Sequence, residues 1–380
     1  MRANATMMAA DPGLQQAPAS RFLRWAIAAY VLILIYASLT PFVGWQPPRG
    51  ITLFDWPRYI TYFDVAINVA AYAPLGALLA AQAQHRLKPI TQIDQQWWRI
   101  IGVAAAAGLT LSFALELLQA FLPGRVSSPL DVLANTSGAA VGAVSLLAPL
   151  GRKLIQKMLT LRREHFSAAP LTDWGILLLM LWLFAQLNPA IPYFEAGMLA
   201  AQTAIGAVPM GDTAASYDPL ILFPQVVGIA LNVTAFAMFV SVLTHPKRAS
   251  LLRVMVILAI GFIAKLTMAS LLLKTPHLVS SLAPATVIGV TSGLLIHLVF
   301  TKFNYRWRAF WAAMFVFAGG VMAKLASVYA ALDQALRLFS WPYGQLANFA
   351  SLTRWINEAW PLAALVLLAI IFVSTHSESS

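Results

Sequence analysis

The 380-residue chain contains no cysteine, which excludes disulfides, thiolate nucleophiles and cysteine-ligated metals. Charge is also scarce. Only 10% of the residues are charged, where soluble domains carry about 25%. The six histidines stand at 85, 165, 245, 277, 297 and 376 and show no metal-ligand spacing. No nucleophile, metal cluster or cofactor loop accompanies the acidic residues, so neither a metal nor a cofactor is expected. His297, the one histidine inside an apolar stretch, reads as a packing residue.

What remains is apolar. Hydrophobic residues make up 60% of the chain and the mean hydropathy is +0.73. Ten stretches approach or exceed the length that crosses a ~30 Å hydrocarbon core. They run over 22–40, 64–84, 98–120, 131–149, 171–188, 220–243, 251–273, 283–300, 309–331 and 359–374. The pattern predicts an all-α, polytopic integral membrane helix bundle of about ten transmembrane helices.

The net charge of +11 does not indicate nucleic-acid binding. Of 25 Lys and Arg, seventeen lie in the N-terminus and in alternate loops, over 85–99, 152–163, 247–253 and 302–308. This is the positive-inside pattern. It predicts cytoplasmic termini and places the loop after residue 120 outside. Trp45, Trp56, Trp341, Trp355 and Trp360 fall where an interfacial aromatic belt belongs. Two lysines, Lys265 and Lys324, lie within apolar stretches, where cations are costly. Between 152 and 163, Arg152, Lys153, Lys157, Arg162 and Arg163 form a basic amphipathic stretch suited to anionic lipid or to fixing topology.

The chain also repeats itself. Tyr36-Ala-Ser-Leu-Thr-Pro41 is echoed by Phe184-Ala-Gln-Leu-Asn-Pro189, and Ile67-Asn-Val-Ala-Ala-Tyr-Ala73 by Leu231-Asn-Val-Thr-Ala-Phe-Ala237. Gly108 and Pro123 have counterparts in Gly261 and Pro276, and Thr136-Ser-Gly138 in Thr291-Ser-Gly293. The offsets, 148, 164, 153 and 155, follow in order along the chain. They predict parallel duplication of a four-helix unit. The expected organisation is a disordered tail over 1–20, a first unit over 21–150, a basic linker over 151–170, a degenerate second unit over 171–300 and a two-helix segment over 301–380.

The polar residues of the first unit are not scattered. Glu116 and Gln119 are three apart at the end of one predicted helix, and Asp131 and Asn135 are four apart at the start of the next. Each pair therefore shares a helix face. Arg125 stands in the short loop between them, and Asp64 and Asn68 repeat the Asp-to-Asn spacing at the start of the second helix. Asn68, Glu116, Gln119, Arg125, Asp131 and Asn135 are thus expected to converge as a ligand site. Glu116 and Asp131 are the candidates for acid and base chemistry, and the alternative reading is a hydrogen-bonded lock on the hairpin. Gly138 and Gly142 form a small-xxx-small motif for close packing.

The first unit resembles the VanZ-like family of bacterial membrane proteins over about residues 25–150. The resemblance rests on Asn68-Val-Ala-Ala-Tyr-Ala-Pro-Leu-Gly76, Glu116-x-x-Gln119, Pro123-Gly-Arg125, Ser128-x-x-Asp131-x-x-x-Asn135 and Gly138-x-x-x-Gly142. It implies a multi-pass inner-membrane protein of the cell envelope, of the kind linked to low-level teicoplanin resistance. The expected partners are membrane lipids and a lipid-linked envelope precursor, recognised at the outer leaflet. Two other functions fit the residues: a transporter or flippase, favoured by duplication and buried lysines, and a membrane enzyme using Glu116 and Asp131.

Overall fold

A computed structural model describes residues 17–40, 42–47, 56, 62–86, 90–123, 125, 127–188, 219–245, 250–272, 284–325 and 344–377. Eleven α-helices run through the described residues: α1 (Ala17–Leu39), α2 (Tyr62–Arg86), α3 (Ile90–Gln119), α4 (Pro129–Leu147), α5 (Pro149–His165), α6 (Pro170–Ala185), α7 (Pro219–Leu243), α8 (Ser250–Leu272), α9 (Pro284–Phe300), α10 (Tyr305–Leu325) and α11 (Gly344–Ser377). Helices α4, α5, α6, α7 and α9 begin on proline, whose missing N–H and fixed φ suit the first helical position. The described residues contain no β-strand beyond an isolated bridge between Phe166 and Thr244.

Among the described residues, seven helices are long and apolar enough to cross a membrane, and Leu171–Ala185 and Thr286–Phe300 are shorter apolar helices. The chain is an all-α polytopic helix bundle. The expected tail over 1–20 is corrected at its end, because α1 already begins at Ala17. Pro18 sits in that first turn, where it does not break the helix. The chain divides into unit 1, Met1–Glu164, and unit 2, His165–Ser380. The segment read as a separate addition over 301–380 falls inside unit 2, where α10 and α11 pack on α7 and α6.

In unit 1, α2 lies along α4 through small residues. A Cβ on Gly138 would strike the backbone of Val69; one on Gly142 would strike Ala73, and one on Gly76 would strike Ala139. Lipid offers apolar groups no incentive to associate, so such close backbone approach is what gains dispersion energy. Helix α3 joins through Ala104 and Ile100, which pack on Ala80, Ala143 and Leu147. Helix α1 closes the unit with Leu34 on Tyr72 and Leu75, and Leu39 on Leu115 and Leu122.

Unit 2 is built differently. Helix α7 is apolar on every side, as buried helices are. Phe236, Phe239, Met238, Val240 and Leu243 are all almost wholly enclosed. The Phe236 ring packs 4.2 Å from Trp182, and Phe239 meets Trp360 at 5.3 Å. The Trp360 indole donates to the Leu178 carbonyl at 2.9 Å. Trp360 is therefore a core residue, a correction to its placement in an interfacial belt, whereas Trp45, Trp56 and Trp355 are exposed. Trp341 lies outside the described residues.

Helix α5 buries no residue at all. Leu150, Leu154, Met158 and Leu161 form one exposed stripe, flanked by the five basic residues. Only Ala148 separates it from the end of α4.

Candidate functional site

The candidate site lies where α3 ends, α4 begins and α2 begins. Leu122 closes the last turn of α3 by donating to the Gln119 carbonyl at 2.8 Å, and Pro129 starts α4. The short connection forces the two helices to run antiparallel with their polar ends together. Ser128 occupies the N-cap position of α4, yet its hydroxyl makes no capping bond.

The polar residues sort into two groups. In the first, the Ser128 backbone N–H donates to Glu116 Oε2 at 2.9 Å. Asn135 Nδ2 donates to Ser112 Oγ at 2.8 Å. Asn68 Nδ2 donates to Asp131 Oδ1 at 2.8 Å, tying α2 to α4, and Asp64 acts electrostatically on the same carboxylate. Glu116, Ser112 and Asn135 are buried, and Asn68 and Asp131 are half-buried.

In the second group, Gln119 and Arg125 turn to the end of α1. Gln119 Nε2 donates to the Ser38 carbonyl at 3.0 Å. One terminal guanidinium nitrogen of Arg125 donates to Thr40 O at 2.7 Å and Ala37 O at 3.2 Å. Together they satisfy carbonyls that a helix C-terminus leaves without partners, and the cation is favourable at that negative end. Burial pulls the Arg125 guanidinium below its ordinary value, and the Glu116 carboxylate opposes the shift. Arginine remains charged throughout. Arg125 is thus half-buried and engaged with α1 rather than a freely solvated loop cation.

Around Glu116 the hydrogen-bonding is incomplete. The hydroxyls of Tyr72, Ser127 and Ser128 and the Oδ1 of Asn135 are buried without a hydrogen-bond partner. The Tyr72 hydroxyl interacts electrostatically with Glu116 and lies beside Ser112, and Ser127 lies beside Glu116, but neither reaches hydrogen-bond geometry. Buried polar groups ordinarily find partners, and exceptions commonly mark a bound water, an ion or a functional role. Four such atoms around one carboxylate supply donors and acceptors in one place.

Three of these contributors were missed in the sequence. Ser112 lies four residues before Glu116, and Tyr72 four after Asn68, so helical spacing carried the signal for both. Ser127 sits in the loop, where spacing gives no such guide. Among the described residues no group of His, Cys, Asp or Glu is arranged to hold a metal ion.

Lys265, suspected as an intramembrane cation, is buried and donates to the Asn188 carbonyl at 2.9 Å. The Asn188 amide bonds in turn to Thr353 Oγ1 at 2.9 Å. The side chain of Lys324 lies outside the described residues.

The fold and the polar cluster define a polytopic α-helical membrane protein whose first unit keeps hydrophilic groups at one end of its bundle. Residues 15–150 match the VanZ/LLP1 family, so the first unit is a VanZ-like domain. That match reaches no part of unit 2. No curated protein and no solved structure matches the chain.

Proposed function

We propose that unit 1 recognises the polar headgroup of an envelope lipid or glycolipid at the outer leaflet of the bacterial inner membrane, and thereby influences teicoplanin susceptibility. The observation that carries this reading is the set of buried, unpartnered polar atoms on Tyr72, Ser127, Ser128 and Asn135 around Glu116. Hydroxyls and a carboxylate suit a hydroxyl- or amine-bearing headgroup, because each can accept and most can also donate. Asn68, Asp131, Gln119 and Arg125 surround them at the more accessible rim.

The enzyme reading keeps one supporting observation, which is that the Asp131 carboxylate acts electrostatically on Glu116. Two such carboxylates are the minimum for paired acid and base work. The transporter reading relied on buried lysines. The bond from Lys265 to the Asn188 carbonyl supports a structural role for that cation instead.

Unit 2 is read as a degenerate copy of the four-helix unit. Gly138 meets Val69 in unit 1, and Gly293 meets Val233 in unit 2, at the offsets of 155 and 164 seen in the sequence. The polar residues were not kept: Asp131 and Asn135 correspond to Thr286 and Val290.

Glu116→Gln tests the headgroup reading. Glutamine preserves the shape and the acceptor for the Ser128 N–H but removes the charge. The variant should fold, yet fail to restore wild-type teicoplanin susceptibility and lipid retention in a deletion strain. Full complementation by a normally folded variant would show that Glu116 is part of a structural lock.

A further inference from the structure

Unit 2 encloses a positive charge for which the described chain provides no anion. Arg308, in the first turn of α10, is 7% exposed. Its Nη1 donates to the Ser241 carbonyl at 3.3 Å, and its Nε is buried with no partner. The Tyr305 ring lies 5.8 Å away. Among the described residues no carboxylate forms an ion pair with Arg308.

A second unpaired group faces the same end of the bundle. His297, in the last turn of α9, is 0% exposed. Its Nε2 lies 3.4 Å from Ser250 Oγ, while Nδ1 has no partner. Helices α9 and α10 both pack on α7, and Arg308 acts on His297 electrostatically. The packing role expected for His297 accounts for its burial but not for its unused nitrogen.

An isolated ion inside a protein carries a desolvation penalty of several kcal/mol unless a counter-charge and further hydrogen bonds offset it. Arginine at a buried site is normally paired. Here a planar guanidinium fork, an imidazole nitrogen and a serine hydroxyl gather where α8 and α10 begin. The positive ends of two helix dipoles point at that place. The set is rich in donors and holds no described acidic group. It sits at the ends of membrane helices, the depth at which lipid headgroups lie.

We infer that the cluster of Arg308, His297 and Ser250 at the α7–α8–α9–α10 end of unit 2 binds a phosphate group. The guanidinium fork matches two phosphate oxygens, and His297 and Ser250 reach a third. The phosphate belongs either to an anionic phospholipid or to free phosphate. This site shares no residue with the headgroup site of unit 1.

The test uses the full chain, purified in detergent and delipidated. It is titrated separately with phosphatidylglycerol, with diacylglycerol as a phosphate-free lipid, and with inorganic phosphate. Thermal unfolding and native mass spectrometry report binding. Phosphatidylglycerol should raise the melting temperature and leave a retained adduct, whereas diacylglycerol should do neither. Stabilisation by inorganic phosphate as well assigns a free-anion site; stabilisation by the lipid alone assigns a headgroup site.

Arg308→Lys keeps the charge but not the fork and should weaken phosphate binding roughly tenfold. Arg308→Gln should abolish it. Should Arg308→Gln fail to fold, the lysine variant and the wild-type titrations still decide the matter. Gly102→Ala, in unit 1 and with open space around an added Cβ, should leave this binding unchanged. Equal responses to phosphatidylglycerol and diacylglycerol with none to phosphate would overturn the inference, as would an undiminished phosphate response in Arg308→Lys.

Discussion

Asn135 donates its amide to Ser112 Oγ at 2.8 Å, while its carbonyl oxygen, equally buried, has no partner. One half of the side chain joins α4 to α3 and the other half is unused. This division separates what holds the helix hairpin together from what is left to meet a ligand.

The joining half should be measurable as a coupling. Interhelical hydrogen bonds in membranes contribute about 0.6 kcal/mol on average and up to about 1.7 kcal/mol. A double-mutant cycle of Asn135→Ala and Ser112→Ala, read by unfolding in detergent, should return a coupling of about 0.5–1.5 kcal/mol. Strict additivity of the two changes would show that the bond contributes nothing to stability.

The α2–α4 seam makes a sharper prediction about packing. A Cβ at Gly142 would fall on the Ala73 backbone, which cannot rotate away. Gly142→Val should therefore cost about 1–3 kcal/mol or prevent folding. Gly102 has nothing within 4 Å of an added Cβ. Gly102→Ala should be neutral or add up to about 1 kcal/mol through helix propensity. Similar melting temperatures for the two variants would contradict the seam.

Topology can be tested on the native background, because the chain has no cysteine to remove. Pro123→Cys, at an exposed position beside the site, should react with a membrane-impermeant maleimide added to intact cells. Lys157→Cys, on the exposed basic helix α5, should react only after permeabilisation. The reverse pattern would invert the charge-based orientation and move the site to the cytoplasmic face.

Much of the fold was legible because it depends on local pattern. Apolar runs located the helices, and Gly138 and Gly142 announced a close seam that the structure places on Val69 and Ala73. Helical spacing also brought Glu116, Asn135, Asp131 and Asn68 to one end of unit 1. The sequence could not show which atoms each would meet. Arg125 lies in a loop beside Glu116, yet its donors go to Ala37 and Thr40, far away in the chain. Trp360 falls near a predicted helix end and looks interfacial, but Phe236 and Phe239 enclose it. Both departures depend on contacts between distant segments, which no local periodicity encodes.

The most direct test of the central claim is a paired measurement on Tyr72→Phe and Ser127→Ala. Each change removes a buried hydroxyl that makes no hydrogen bond within the chain. Deleting an unsatisfied polar atom costs no internal bond and removes a desolvation penalty of about 1–3 kcal/mol. If these hydroxyls are kept for a ligand, the variants should unfold at the wild-type temperature or above it. They should nevertheless retain less co-purifying headgroup lipid by native mass spectrometry and lose the effect on teicoplanin susceptibility. Unchanged lipid retention and susceptibility in variants that fold normally would contradict a headgroup site at Glu116.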